Sequence, residues 1–177
     1  MGLGNPGPRY ANTRHNVGFL VLEELGRRLG VGRPTKRFGG LLAFGELGGR
    51  RVALLWPQTF MNEAGRAVSP ARGALKVPLE RLCVVHDELD LPFGEIRVKF
   101  GGGLAGHNGL KSVAVHLGSR EFWRLRVGIG RPPTTDPEIV SRYVLSPFSV
   151  GRGELAAVVE EAANRLQTLV EEDERQP

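Results

Sequence analysis

The chain has 177 residues, with 24 Lys and Arg against 19 Asp and Glu and a formal net charge of +5, and its sequence pI is near 10.0. That length suffices for one domain with its own core, and a lone cysteine, Cys83 in RLCVVHD, excludes an internal disulfide framework and suits a reducing cytoplasm. No apolar run approaches the ~20 residues of a membrane span and no signal-peptide pattern opens the chain, so a soluble, cytoplasmic protein is expected; the basic balance suits an acidic partner such as RNA without identifying one.

Residues 2–7, GLGNPG, spell G-x-G-x-x-G, the glycine fingerprint of a dinucleotide loop. That fingerprint needs a strand running into it and a helix starting inside it. Only Met1 precedes Gly2, and Pro6 and Pro8 remove amide donors that would face a pyrophosphate. Another use of the loop is therefore expected. NVGFLVLEELGRRLG then puts Gly18, Leu22, Leu25 and Leu29 on one helical face, with Asn16 as N-cap and Gly30 or Gly32 as stop. LLAFGELGGRRVALLWP reads as a hairpin turning at Gly48-Gly49. A loop, PQTFMNEAG, leads to a helix along Ala64, Val68, Ala71 and Leu75, weakened by Pro70. LCVVH is a strand covered on both faces and ends in DELDLPFG; EIRVKF alternates, with Ile96, Val98 and Phe100 on one side. GGGLAGHNG is an irregular loop from which Asn108 caps a helix carrying Leu110, Val113, Ala114 and Leu117. FWRLRVGIG is a further strand with Arg124 and Arg126 opposite its apolar face. A long helix carries Leu155, Val159, Ala162, Leu166 and Leu169, and residues 171–177 form a frayed tail.

Strands alternating with helices, plus a hairpin, imply α/β architecture: a single-domain three-layer sandwich over residues 1–177, with a twisted mixed β-sheet flanked by helices. The polar residues that core packing leaves unexplained fall in four loops: Asn5, Tyr10, His15 and Asn16; Phe60, Met61 and Asn62; His86 and Asp87; His107 and Asn108. Loops at the carboxyl ends of strands converge on ligand clefts in such sheets. No G-x-S-x-G elbow supplies a nucleophile, so the simplest chemistry is a histidine taking a proton from water beside a carboxylate, with His15 and Asp87 as the pair. Asn5, Asn62 and Asn108 offer amide groups to a carbonyl that gains charge. Bland readings stand beside these: Asn5 as a turn residue, Asn16 and Asn108 as caps, His86 and His116 as structural histidines. His15, Asp87, Glu88, Asp90 and His107 could instead hold a metal, but they lack a close spacing such as H-E-x-x-H, and no metal or cofactor is expected.

Taken together, GLGNPGPRYANTRHNVGF, TFMNEAGRAV, VVHDELDLPFG, GGGLAGHNGLKSV, FWRLRVGIGRP and VLSPF resemble the bacterial-type peptidyl-tRNA hydrolases, in family order across nearly the whole chain. The resemblance implies hydrolysis of the ester joining peptide to tRNA, in peptidyl-tRNA or N-blocked aminoacyl-tRNA, which recycles tRNA after abortive translation. It implies His15 as catalytic base and Asp87 as its partner. Asn5 would help tell N-blocked from free-amine substrates, and Tyr10, Phe60, Met61, Asn62, His107 and Asn108 would bind the tRNA or its peptide. It further implies a cytoplasmic monomer needing no metal. Arg97, Lys99, Lys111, Arg124, Arg126 and Arg131 are candidates for a tRNA-phosphate surface. The sequence departs from the family pattern at three places: Met1 stands where a hydrophobic first strand is usual, so the sheet is expected to lack that strand or the chain to start upstream; Leu104-Ala105 replaces small residues; and Pro70 interrupts a helix. A non-catalytic RNA-binding relative and a small-ester esterase are the rival readings.

Overall fold

The computed structural model describes the backbone of residues 1–175 and the side chains of residues 1–172. The hairpin forms as expected: strands β2 (Gly40–Leu47) and β3 (Arg50–Pro57) pair antiparallel with Leu47 opposite Arg50. Gly48 and Gly49 take φ of 60° and 81° between them, the two left-handed residues that a tight hairpin turn demands. A short exposed strand, β1 (Thr35–Arg37), adds to the outside of β2; its three residues offer no periodicity from which it could be read. The second sheet has the order β4–β6–β5, with β4 (Cys83–Glu88) parallel and β5 (Ile96–Phe100) antiparallel to the central β6 (Trp123–Gly128). Its central place explains why Leu125 and Val127 are wholly buried.

Met1–Leu3 lie between the two sheets. Gly2 bridges Val85 in parallel sense, and the Leu3 N–H donates to Val85 O at 2.9 Å while the Val85 N–H donates to Met1 O at 2.8 Å. On the other side the Gly2 N–H donates to Leu55 O at 3.1 Å. These three residues thus take the place of the usual hydrophobic first strand and tie β3 to β4 in one mixed layer.

Two helix layers cover that layer. Helices α1 (Val17–Arg28) and α5 (Arg152–Arg175) bury Val21, Leu22, Leu25, Ala162 and Leu166 against Val85, Leu125 and Val127. Helices α2 (Gly65–Leu75) and α3 (Asn108–Leu117) bury Val68, Ala71, Leu110 and Val113 against Leu3, Val84 and Phe122. Each of these buried Val, Leu and Phe side chains stabilises the fold by about 1.5–3 kcal/mol. Helix α2 continues across Pro70; packing on α3 offsets the one lost backbone bond. On α5, Ala162 and Leu166 are buried and Leu155, Val159 and Leu169 are half-buried. The helix runs to Arg175, so the expected frayed tail is helical over 171–175 and otherwise lies outside the described residues.

Gly18 sets the position of the site. A Cβ there would meet the carbonyl oxygens of Val85 and Leu3 inside van der Waals contact, so only glycine lets the start of α1 rest directly on β4. The turn just before it, residues 14–16, is thereby held over the carboxyl end of β4.

A further helix, α4 (Pro137–Val144), was not anticipated. The Asp136 carboxylate caps it by accepting from the Glu138 N–H at 2.9 Å, and Pro137 occupies its first turn, the usual start of a helix. Arg14 ties α4 to the turn bearing His15: its N–H donates to Ser146 O at 3.0 Å, and its guanidinium donates to Tyr143 O at 3.1 Å and lies 4.0 Å from the Tyr143 ring centre.

Candidate active site

A cleft of about 520 Å³ opens at the carboxyl end of β4. The residues expected to catalyse or to bind the peptide and acceptor end line it: Asn5, Tyr10 and His15 from the first loop, Phe60, Met61 and Asn62 from the second, Asp87 from β4, His107 just before α3 and Asn108 at its start. Helix α4 and its C-cap supply a wall that sequence reasoning missed, through Pro137, Val140, Ser141 and Val144 of the helix and Leu145 after it. The signal was present in the stretch TTDPE, where an Asp cap is followed by Pro and Glu.

At the floor, the Asp87 carboxylate is 2% exposed. Its Oδ2 meets His15 Nδ1 at 2.8 Å and its Oδ1 meets His107 Nε2 at 2.7 Å. The tautomers follow from the remaining contacts. His107 Nδ1 accepts from the backbone N–H groups of Gly109 and Leu110 at 3.0 and 3.3 Å, so the proton of His107 is on Nε2 and is donated to Asp87. His15 presents Nδ1–H to the other carboxylate oxygen, which leaves its Nε2 lone pair for the cleft. Burial works to raise the Asp87 pKa, but the two imidazoles, His15 first, more than reverse this and hold the carboxyl well below its usual range. For His15, burial favours the neutral ring, while the charge and hydrogen bond of Asp87 prevail and raise its pKa above 6.5.

The expected caps are reassigned by these contacts. Asn108 is the first residue of α3 and the cap is His107. Asn16 makes no side-chain cap to α1; instead its Oδ1 accepts from the Asn5 N–H and its Nδ2 donates to Asn5 O, both at 2.9 Å. A two-point clamp of this kind fixes the GLGNPG loop. The Asn5 side chain in turn accepts from the Met61 N–H through Oδ1 at 2.7 Å, which orients its Nδ2 as the group available to a ligand. Phe60 stands at the rim, 61% exposed.

His86 differs from the satisfied structural histidine expected of it. It donates Nδ1–H to Asp87 O at 2.8 Å, but its buried Nε2 has no hydrogen-bond partner among the described residues. Burial first, and then the neighbouring His107, lower its pKa to about 3. His116 is held by Ser112 O at 2.9 Å on the far side of α3.

The arginines also sort differently from their sequence pattern. Arg124 is 1% exposed and spends its guanidinium on the backbone oxygens of Gly102, Gly103 and Arg120, so it is a clamp on the GGGLAGHNG loop and no part of a phosphate surface. Arg126 pairs with the buried Glu88 at 2.6 Å, Arg97 with Glu95 and Arg131 with Asp90.

A metal reading can be weighed on the donor set. His15, Asp87 and His107 bring one ligand atom each within 4.8 Å of one another. A metal on His107 Nε2 would have to displace the proton there while Nδ1 still accepts two amide N–H groups, leaving an imidazolate, whereas metal-bound histidines ordinarily donate through their other nitrogen. The hydrogen-bonded arrangement fits protons better than a cation.

An imidazole nitrogen facing an open cleft, a carboxylate behind it and amides around it are groups with which an α/β scaffold can carry out hydrolysis. The kind of hydrolase is specified by similarity. A profile of the peptidyl-tRNA hydrolase family matches residues 1–176. The chain is 51% identical over 172 residues to a peptidyl-tRNA hydrolase of Mycobacterium sp. (strain KMS), covering 96% of this chain and 88% of that one. It is 50% identical over 174 residues to that of Mycobacterium marinum, covering 97% and 90%. Among solved structures, a peptidyl-tRNA hydrolase from Acinetobacter baumannii superimposes with a TM-score of 0.88 at 38% identity, over 99% of this chain and 89% of that one. The chain belongs to the peptidyl-tRNA hydrolase family.

Proposed function

We propose that this protein hydrolyses the ester between a peptide and the terminal ribose of tRNA by general-base activation of water, with His15 as base and Asp87 as its orienting carboxylate. The single observation that carries the reading is the Asp87–His15 contact at 2.8 Å through Nδ1, which leaves Nε2 as the proton acceptor facing the cleft. Water gives a proton to His15 Nε2 as its oxygen adds to the ester carbonyl carbon. The imidazolium then formed is stabilised by Asp87 and returns the proton to the departing ribose oxygen, so peptide acid and free tRNA are the products. General-base assistance of this kind contributes ~10²–10⁴ in rate.

Asn5 Nδ2, held by the Met61 N–H on the opposite atom of the amide, donates to a substrate carbonyl, and Asn62 and Asn108 hold the peptide and the acceptor end beside it. The exposed Phe60 and the half-buried Tyr10 offer faces on which an unstacked terminal base can lie. A free α-ammonium finds donors and paired carboxylates here, which is an expensive setting for an unpartnered charge; N-blocked substrates are favoured on that ground. Action as a monomer in the cytoplasm, where ribosomes supply such a substrate, is part of the same proposal. The test is release of amino acid from N-acetyl-aminoacyl-tRNA against the unblocked ester. Preferential cleavage of the blocked form is expected, and equal cleavage of both, or of neither, contradicts the reading.

A further inference from the structure

We infer that His107 is a positioning residue acting through Asp87, held from behind by His86, and that it withholds part of the Asp87 charge from His15. The inference rests on the general-base reading above and departs from the expectation that His107 binds substrate. Three observations carry it. First, every polar atom of the His107 ring is engaged inside the protein: Nε2–H with Asp87 at 2.7 Å, and Nδ1 with the Gly109 and Leu110 amides in the first turn of α3. Nothing polar is left over for a ligand, although the ring borders the cleft. Second, the orientation is over-determined. The His86 ring packs edge-on against it at 5.2 Å and 70°, and His86 is itself tied by Nδ1–H to Asp87 O. The loop leading to His107 is held at Gly102 and Gly103 by the buried Arg124. Third, the two carboxylate oxygens are divided between the two histidines, one each.

The consequence has a sign. A carboxylate that satisfies one N–H donor raises the basicity of that ring more than one that satisfies two. The other charged groups around His15 and Asp87 are accounted for within their own contacts. Glu88 on β4 is paired to Arg126 on β6, Arg14 on the same turn is turned to Tyr143 of α4, Arg124 on β6 is on loop carbonyls, and His86 on β4 is neutral across the working range. Removing the His107 donor therefore leaves Asp87 to His15 alone.

The experiment is the pH profile of kcat/KM for N-acetyl-aminoacyl-tRNA with the whole protein and its His107→Ala, His107→Gln and His86→Phe variants. His107→Ala is expected to move the acid limb upward by about half to one pH unit, a shift of the size that one altered polar contact produces, and to lower kcat with KM little changed. His107→Gln, whose Nε2–H reaches the same place, is expected to restore the limb near the wild-type position. His86→Phe keeps the ring volume but removes the tie to Asp87 O, and lowers kcat without raising KM. A rise in KM with an unmoved limb in both His107 variants overturns the inference and returns His107 to substrate binding. A His15→Ala protein as active as wild type would instead sink the general-base reading, so the two failures are told apart.

Discussion

Replacing Asp87 with asparagine is a sharper test of this site than removal of the side chain, because the geometry dictates what the amide must do. Two N–H donors converge on Asp87, from His15 Nδ1 and His107 Nε2. An amide has one oxygen. His107 cannot turn over to relieve the conflict, since its Nδ1 is committed to the Gly109 and Leu110 amides. The asparagine oxygen therefore stays with His107, and its NH₂ faces His15, where it is satisfied only if Nδ1 becomes an acceptor. That moves the His15 proton to Nε2, the atom that has to accept one from water. The variant keeps its shape but holds the base in the wrong tautomer. The corresponding carboxylate-to-amide change beside the histidine of serine proteases lowers kcat by about 10⁴, and a loss of ~10³–10⁴ is expected here. The assay is single-turnover hydrolysis of N-acetyl-aminoacyl-tRNA at saturating enzyme, with a thermal melt to show that the variant is folded. A folded Asp87→Asn protein within about tenfold of the wild-type rate would refute the tautomer argument, because loss of imidazolium stabilisation alone is the milder effect.

The other expectations are more local. Because Asp87 raises the His15 pKa above 6.5, the ring stays protonated to higher pH than an ordinary histidine, and the acid limb of kcat/KM should inflect above that value; an inflection below it would show that burial outweighs the carboxylate. Asn5→Ala removes the amide held between Met61 N–H and the cleft, and should narrow the ratio of N-blocked to free-amine cleavage while retaining turnover, as read by hydrolysis of both esters; an unchanged ratio would remove Asn5 from recognition. Arg124→Met leaves the oxygens of Gly102, Gly103 and Arg120 without their buried donor and should destabilise the fold by about 1–3 kcal/mol in denaturant melts, with no change in the salt dependence of tRNA binding. A salt slope reduced by ~0.7–0.9 would mean that Arg124 neutralises a phosphate after all.

Where the chain is periodic, its structure could be read from it. Helix α1, the hairpin, β4, β5 and α3 all have apolar spacing that matches a single regular conformation, and all but β4 carry glycine, proline or asparagine at their ends. Where the reading failed, the deciding partner was remote in sequence. Asn16 looks like a cap for α1, but its preferred partner is Asn5, eleven residues back, in a loop with few backbone partners of its own. His107, one position before the expected cap, takes the role because a neutral imidazole nitrogen can accept amide N–H groups as a carbonyl oxygen does. Arg124 sits on the polar phase of a strand whose two faces are both covered, so the alternation that predicts exposure holds a buried clamp. Helix α4 carried a legible start but only eight residues, too few for a periodic stripe. The site residues could be named because they occur in the loops between periodic elements. Their connection, one carboxylate shared by two histidines, depends on side-chain directions that spacing does not encode.

The central claim is that His15 takes the proton from water. It is tested most directly by single-turnover hydrolysis of N-acetyl-aminoacyl-tRNA by folded His15→Ala protein, alongside its binding of the same substrate. The account predicts a rate lower by ~10²–10⁴ with affinity largely retained. A near-normal rate would contradict it, and so would a loss that arises wholly from weaker binding.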